Sequence, residues 1–257
     1  MIIDTHAHYD DEAFAQDRDI LLGGFPEQGI EKVINSGTSV ASSREGLRLS
    51  QRWPSVYCAL GVHPNELAEL TDEILEEFQL LSAEPKVVAI GEIGLEYHYE
   101  EPPREIQALW FRKQIALAKR VGLPIIVHSR DAVQDTLDII RETDAAEVGG
   151  VIHCFSAGPE IAECYVRLGF YLGIGGVVSF KNGKKLKEVV REMPMERLLL
   201  ETDSPYLSPE PHRGKRNSSL NLPYVAAEIA ALKDISPEEV IRQTHENAMR
   251  CFPKLKN

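Results

Sequence analysis

Cysteine is scarce in this chain and never paired. Cys58, Cys154, Cys164 and Cys251 are widely scattered and no CxxC spacing occurs. That argues against a thiolate zinc site and a disulfide framework, and leaves the reduced, mostly buried thiols of a cytoplasmic protein. Long apolar runs are missing as well: nothing approaches the roughly 18 residues of a membrane span, so no membrane contact is expected. The start lacks the basic region and apolar core of a signal peptide, because Asp4, His6, His8, Asp10 and Asp11 fall there. Positive charge is in deficit, with 28 Lys and Arg against 40 Asp and Glu, a formal net charge of −12. On average this is the wrong sign for a nucleic-acid binder. Two clusters run the other way, KNGKKLK (181–187) and HRGKR (212–216), and bound cations would cancel negative charge where they sit. No repeat, low-complexity tract, long linker or composition break divides the 257 residues, so a single domain over 1–257 is expected. No heptad pattern or obligate protein partner is legible.

What is present is a recurring unit, a short β-branched run followed by a helical pattern. The runs are IIDTHAH (2–8), KVINSG (32–37), VYCALGVH (56–63), KVVAIGE (86–92), PIIVHS (124–129), GVIHCF (150–155), FYLGIG (170–175) and RLLLETD (197–203). Between them, Ile106, Leu109, Trp110, Leu117 and Val121 fall on one helical stripe, as do Ile74, Phe78 and Leu81 behind a Thr71 cap. Ser236, Pro237 and Glu239 read as a capping box with proline at the first helical position. Eight strands alternating with helices over this length is the arithmetic of a (β/α)8 TIM barrel.

The titratable residues favour the barrel over an open sheet. His6 and His8 end the first run, His63 the third, Glu92 the fourth, His128 the fifth, His153 the sixth and Asp203 the eighth. In a parallel barrel every strand C-terminus opens on one face, where active sites sit; an open sheet would spread the same residues along an edge. A single strand histidine is more often hydrogen-bonded filler than a ligand. Seven such coincidences in a chain with 8 histidines are another matter. Imidazoles and carboxylates without thiolates suit zinc or manganese better than calcium. Six ligands exceed one tetrahedral site, so two metal ions sharing a carboxylate fit the count. Strand alternation also puts Asp4 on the His6/His8 face and Glu201 on the Asp203 face, one step deeper, where either can orient a ligand or simply sit satisfied in the interior.

The segments DTHAHYD, GVHPNE, IGEIGLEY, PIIVHSR, VIHCFS and LLLETDSPYL, in this order over nearly the whole chain, resemble the TatD family of metal-dependent deoxyribonucleases, amidohydrolase-like barrel hydrolases. The resemblance implies two divalent metal ions (zinc, manganese or magnesium), with His6, His8 and Asp203 on one, His128 and His153 on the other, and Glu92 bridging. It implies hydrolysis of DNA phosphodiesters from a 3′ end, with single strands or 3′ ends as substrate. His63 and Arg213 would face the substrate phosphate. Asp203 and Glu92 would be catalytic, Asp203 taking the proton of a water activated between the ions. Glu96 stands where the family usually has Asp, and RGKRNSSLNLP replaces the family's RGKRNEP. The rival reading is a metal-dependent ester or amide hydrolase of deacylase or lactonase type acting on a small molecule or aminoacyl end. A barrel that binds metal without catalysis is the third.

Overall fold

The structure is a computed structural model and describes residues 1–256. Eight parallel strands form one sheet in sequential order: β1 (Ile2–Ala7), β2 (Ile30–Ser36), β3 (Val56–Leu60), β4 (Val87–Glu96), β5 (Ile125–Arg130), β6 (Gly150–Ile152), β7 (Tyr171–Ile174) and β8 (Leu198–Leu200). The ring closes between β8 and β1. Ala7 bridges Ser204, the His8 N–H donates to the Ser204 carbonyl at 2.8 Å, and the Asp203 N–H donates to the His6 carbonyl at 3.0 Å. The connecting helices are α1 (Arg18–Gly24), α2 (Val40–Arg52), α3 (Asp72–Leu81), α4 (Arg104–Val121), α5 (Val133–Glu142), α6 (Pro159–Arg167), α7 (Lys184–Glu192) and α8 (Leu222–Lys233). A last helix, α9 (Pro237–Cys251), follows. The fold is the (β/α)8 barrel that the eight runs imply. No helix of the described residues is long and apolar enough to cross a membrane.

Two apolar layers hold it. Residues such as Val33, Leu60 and Val127 face the helices in the outer layer. Ile3, Ile34, Tyr57, Val88, Ile126 and Leu199 pack inward with Cys251, Phe252 and Leu255. The chain end thus seals the floor of the barrel, below the strand N-termini. Buried Asn247 ties it there, its Nδ2 donating to the Met195 and Leu198 carbonyls at 2.7 and 2.8 Å. With the floor shut, the opposite rim is the open end.

The helix boundaries follow their caps. Thr71 Oγ1 accepts from Ile74 N–H and Ser236 Oγ from Glu239 N–H. The reciprocal half of the Ser236 box is missing, because the Glu239 carboxylate pairs with Arg242 instead. On α4 the stripe read from sequence holds in part: Leu117 is buried and Trp110 and Val121 pack against the core, but Ile106 and Leu109 are 39% and 47% exposed, and Gln107, Phe111, Gln114 and Ile115 also face inward. The two glutamines earn their burial by pairing with backbone. Gln107 bonds Glu96 N–H and C=O, and Gln114 bonds Val62 N–H and C=O. A buried amide that clamps a strand end carries no apolar signal, so hydrophobic periodicity misses part of the buried face.

Candidate metal centre

β1 delivers the first two imidazoles, though not by simple alternation. Ile3 lies in the inner layer and Ala7 in the outer one, because the pairing with β2 shifts register between Asp4 and Ala7. Ser36 at the end of β2 holds both rings. Its carbonyl lies 3.0 Å from His8 Nδ1 and its hydroxyl 3.2 Å from His6 Nδ1. A carbonyl only accepts, so His8 Nδ1 carries a proton. Nε2 of His6 and Nε2 of His8 then face each other at 3.0 Å over the barrel mouth. Asp203 follows β8 in the left-handed region, φ 57°, which turns its carboxylate back over the rim. Oδ1 lies 3.3 Å from His8 Nε2 and 3.7 Å from His6 Nε2.

Glu92 sits at the centre of the cluster. One oxygen, Oε2, faces His6 at 3.2 Å and His8 at 3.6 Å. The other, Oε1, faces His128 Nδ1 at 2.9 Å, His153 Nε2 at 3.4 Å and His63 Nε2 at 3.8 Å. The carboxylate therefore divides the histidines into two groups, one per oxygen. The second group has charged support: His128 Nε2 lies 3.2 Å from Glu96 Oε2, and His153 Nδ1 lies 3.2 Å from Glu201 Oε1. Glu201 also accepts from Cys154 N–H at 2.6 Å, and its side chain occupies the space a Cβ on Gly173 would fill. The two groups touch where the His6 and His153 rings stack, centroids 3.6 Å apart.

Charge in this cluster is balanced by protons. For His8, burial works against the charge but is outweighed by Asp203 and Glu92, and the pKa is pushed up to about 9. Burial is likewise overcome at His153 by Glu201 and Glu92, to about 10. Glu92 is held well below its ordinary range: burial is overridden by His153, His6 and His128. Asp203 is lowered too, burial being outweighed by its bond to His8 and the charge of His153. His63 goes the other way, down to about 4, chiefly through burial. A divalent cation would replace those shared protons in kind. One ligand atom each of His6, His8 and Asp203 lies within 4.8 Å of the others, and the same holds for His6, Glu92 and His153 and for His63, Glu92 and His128. The donor set, imidazole nitrogens converging on ionised carboxylates, fits such ions.

All seven rim residues read from the sequence come together here. Of the two roles open to Asp4, the buried carboxylate satisfied in the interior is the one observed. Asp4 does not stand behind the imidazoles: it accepts from the His6 backbone N–H, from Thr202 N–H and hydroxyl, and from Ser219 Oγ at 2.6 Å. The register shift in β1 turns it toward the β8 loop, where burial lifts its carboxyl to about 7 despite those bonds. Arg213 is not among the residues lining the cleft; its guanidinium lies over Phe180, 4.2 Å from the ring centroid. Arg216 grips Asp17 and the Ala13 carbonyl, so part of the basic run is a clasp. Sequence reading missed Ser36, whose NSG context carries no ligand signal, and the cleft-lining Tyr99 and Tyr206.

Matches to known proteins run over nearly the whole chain. The family model described as TatD related DNase matches residues 3–253. The chain is 44% identical to the uncharacterized metal-dependent hydrolase YabD of Bacillus subtilis, covering 98% of this chain and 99% of that protein. It is 36% identical to the uncharacterized metal-dependent hydrolase YcfH of Escherichia coli K12, covering 98% and 95%. The crystal structure of YjjV, a TatD homolog from E. coli K12, superposes with a TM-score of 0.92 at 33% identity, covering 98% of each chain.

Proposed function

The chain belongs to the TatD-related DNase family of metal-dependent hydrolases, and from that premise we propose that it hydrolyses DNA phosphodiester bonds with two divalent ions, as a 3′–5′ exodeoxyribonuclease. The observation that carries this reading is the position of Glu92, one oxygen turned to His6 and His8 and the other to His128 and His153. His6, His8 and Asp203 would hold one ion and His128 and His153 the other, with Glu92 between them. When bound, such ions acidify a water and neutralise charge on the attacked phosphate.

The chain's own groups supply the rest. Asp203 is ionised at neutral pH, because its pKa is lowered by His8 and His153 against the effect of burial. With 18% of its side chain exposed it is the more open of the two central carboxylates, so it orients the attacking water and takes its proton. His63 is neutral, since burial lowers its pKa to about 4. Its Nδ1 accepts from Asn65 N–H at 3.2 Å, which places the proton on Nε2. That N–H lies beside Glu92, donates to a non-bridging phosphate oxygen, and costs no reorganisation when negative charge develops there. Arg213, on the outer lip, is assigned to phosphates farther along the strand.

The test is single-stranded DNA labelled at either end, incubated with purified protein and Mg, Mn or Zn, with and without chelator. Stepwise shortening from the 3′ end, abolished by chelator and by Glu92→Gln, is expected. One observation favours a second reading, a small-molecule ester or amide hydrolase. Asp10, Asp11 and Glu66 line the cleft beside a lone arginine, Arg130. Rapid ester turnover with intact DNA under every metal would decide for it.

A further inference from the structure

The cleft above the cluster encloses about 570 Å³, and Arg130 is the one Lys or Arg among its described lining residues. Charge alone therefore holds at most a short stretch of phosphates. Two lining residues offer a different grip. Tyr99 and Tyr206 are 54% and 55% exposed at the mouth. They stand on the loops after β4 and β8, which the ring order places on opposite sides of the barrel.

Neither ring hangs free. Tyr206 is fixed at three points: its hydroxyl donates to Asp11 Oδ2 at 3.0 Å, its N–H donates to the Asp203 carbonyl at 2.8 Å, and its own carbonyl accepts from Asn217 Nδ2 at 2.8 Å. Tyr99 is braced by His98 edge-on, centroids 5.0 Å apart, with the Arg130 guanidinium 5.9 Å from its ring. Each ring, about half exposed on its flank of a polar site, still offers surface that a flat partner can cover, and nucleobases are flat. Resting on the phosphodiester reading above, we infer that Tyr99 and Tyr206 each stack one base, the pair flanking the scissile bond. Substrate grip then comes from two stacking platforms more than from phosphate contacts. Only unpaired bases can reach both rings, so single strands and frayed ends are selected.

The experiment uses the metal-loaded full chain and short single-stranded oligodeoxynucleotides, intact or with an abasic residue on either side of the terminal scissile bond. Tyr99→Ala and Tyr206→Ala should each raise KM about 5- to 150-fold with metal content unchanged, and Tyr→Trp should restore it. In wild type the abasic substrate should show a similar loss, and the matching alanine variant should lose little more. Substrate affinity should fall only shallowly with salt, with a log–log slope no steeper than about −1.4 for the two cationic contacts, Arg130 and Arg213. Losses from the alanine variants and the abasic sites that simply multiply overturn the inference, as does a steep salt slope. A wild-type enzyme that never shortens DNA removes the functional reading and this inference together; shortening with multiplying losses removes the inference alone.

Discussion

Glu92 and the residues behind its histidines show how chemistry is divided at the level of single side chains. His6 and His8 lean on the neutral oxygens of Ser36, whereas His128 and His153 lean on the carboxylates of Glu96 and Glu201. A carboxylate behind an imidazole fixes its tautomer and raises its basicity toward a metal. Glu96→Gln and Glu201→Gln should each weaken metal binding about 10- to 100-fold, measured by competition with a chromophoric chelator. Ser36→Ala should weaken it less, since the carbonyl that holds His8 remains. Equal losses from all three variants would contradict the division. These supporting residues show why the site was only partly legible. A histidine at a strand end announces itself by residue type, but Ser36 looks like any turn serine. Glu96, one methylene longer than the family's Asp, nevertheless reaches His128.

The elements were legible wherever burial follows the apolar pattern, and misread wherever a polar group is buried by pairing with backbone. All eight strands appear, but β4 runs on to Glu96, because Gly94 at φ 147° lets its backbone pass against the His128 carbonyl. The loop from β8 to α8 repeats the lesson of the α4 glutamines. Its basic residues look like a phosphate site, yet its fold is set by Asn217, fully buried, whose Nδ2 donates to the Thr202 and Tyr206 carbonyls at 3.0 and 2.8 Å. Asn217→Ala leaves both carbonyls without that donor and should cost about 1–3 kcal/mol per group that stays unsatisfied. Arg216→Ala removes a pair with Asp17 that is over a third exposed and should cost no more than about 1 kcal/mol. Denaturant melts should rank them in that order, and Asn217→Ala should also loosen Tyr206. The reverse order would make the basic run, not the asparagine, the organiser of the loop.

For the whole molecule, the count of strands and the clustering of titratable residues at one rim made the barrel legible. The net charge of −12 did not reveal how that rim is neutralised. In the metal-free chain protons do it, and their linkage has a definite sign. The pKa values of His8 and His153 rise to about 9 and 10 on folding, burial being outweighed by Asp203 and Glu92 at His8 and by Glu201 and Glu92 at His153. A raised pKa contributes stability that is complete below the unfolded value, about 6.5 for histidine. It is lost as pH climbs through the folded values, so the stripped protein should melt progressively lower from about pH 7 to 10. Metal uptake runs the opposite way, because the ions must displace those same protons, and affinity rises as the protons become easier to remove. The gap in Tm between loaded and stripped protein should therefore widen with pH over that range, until metal hydroxides limit the free ion. Calorimetric titration near pH 7 in buffers of different ionisation enthalpy should show protons released on binding. A constant Tm gap, or binding without proton release, would mean that the imidazoles are already neutral and that the cluster is not held together by shared protons.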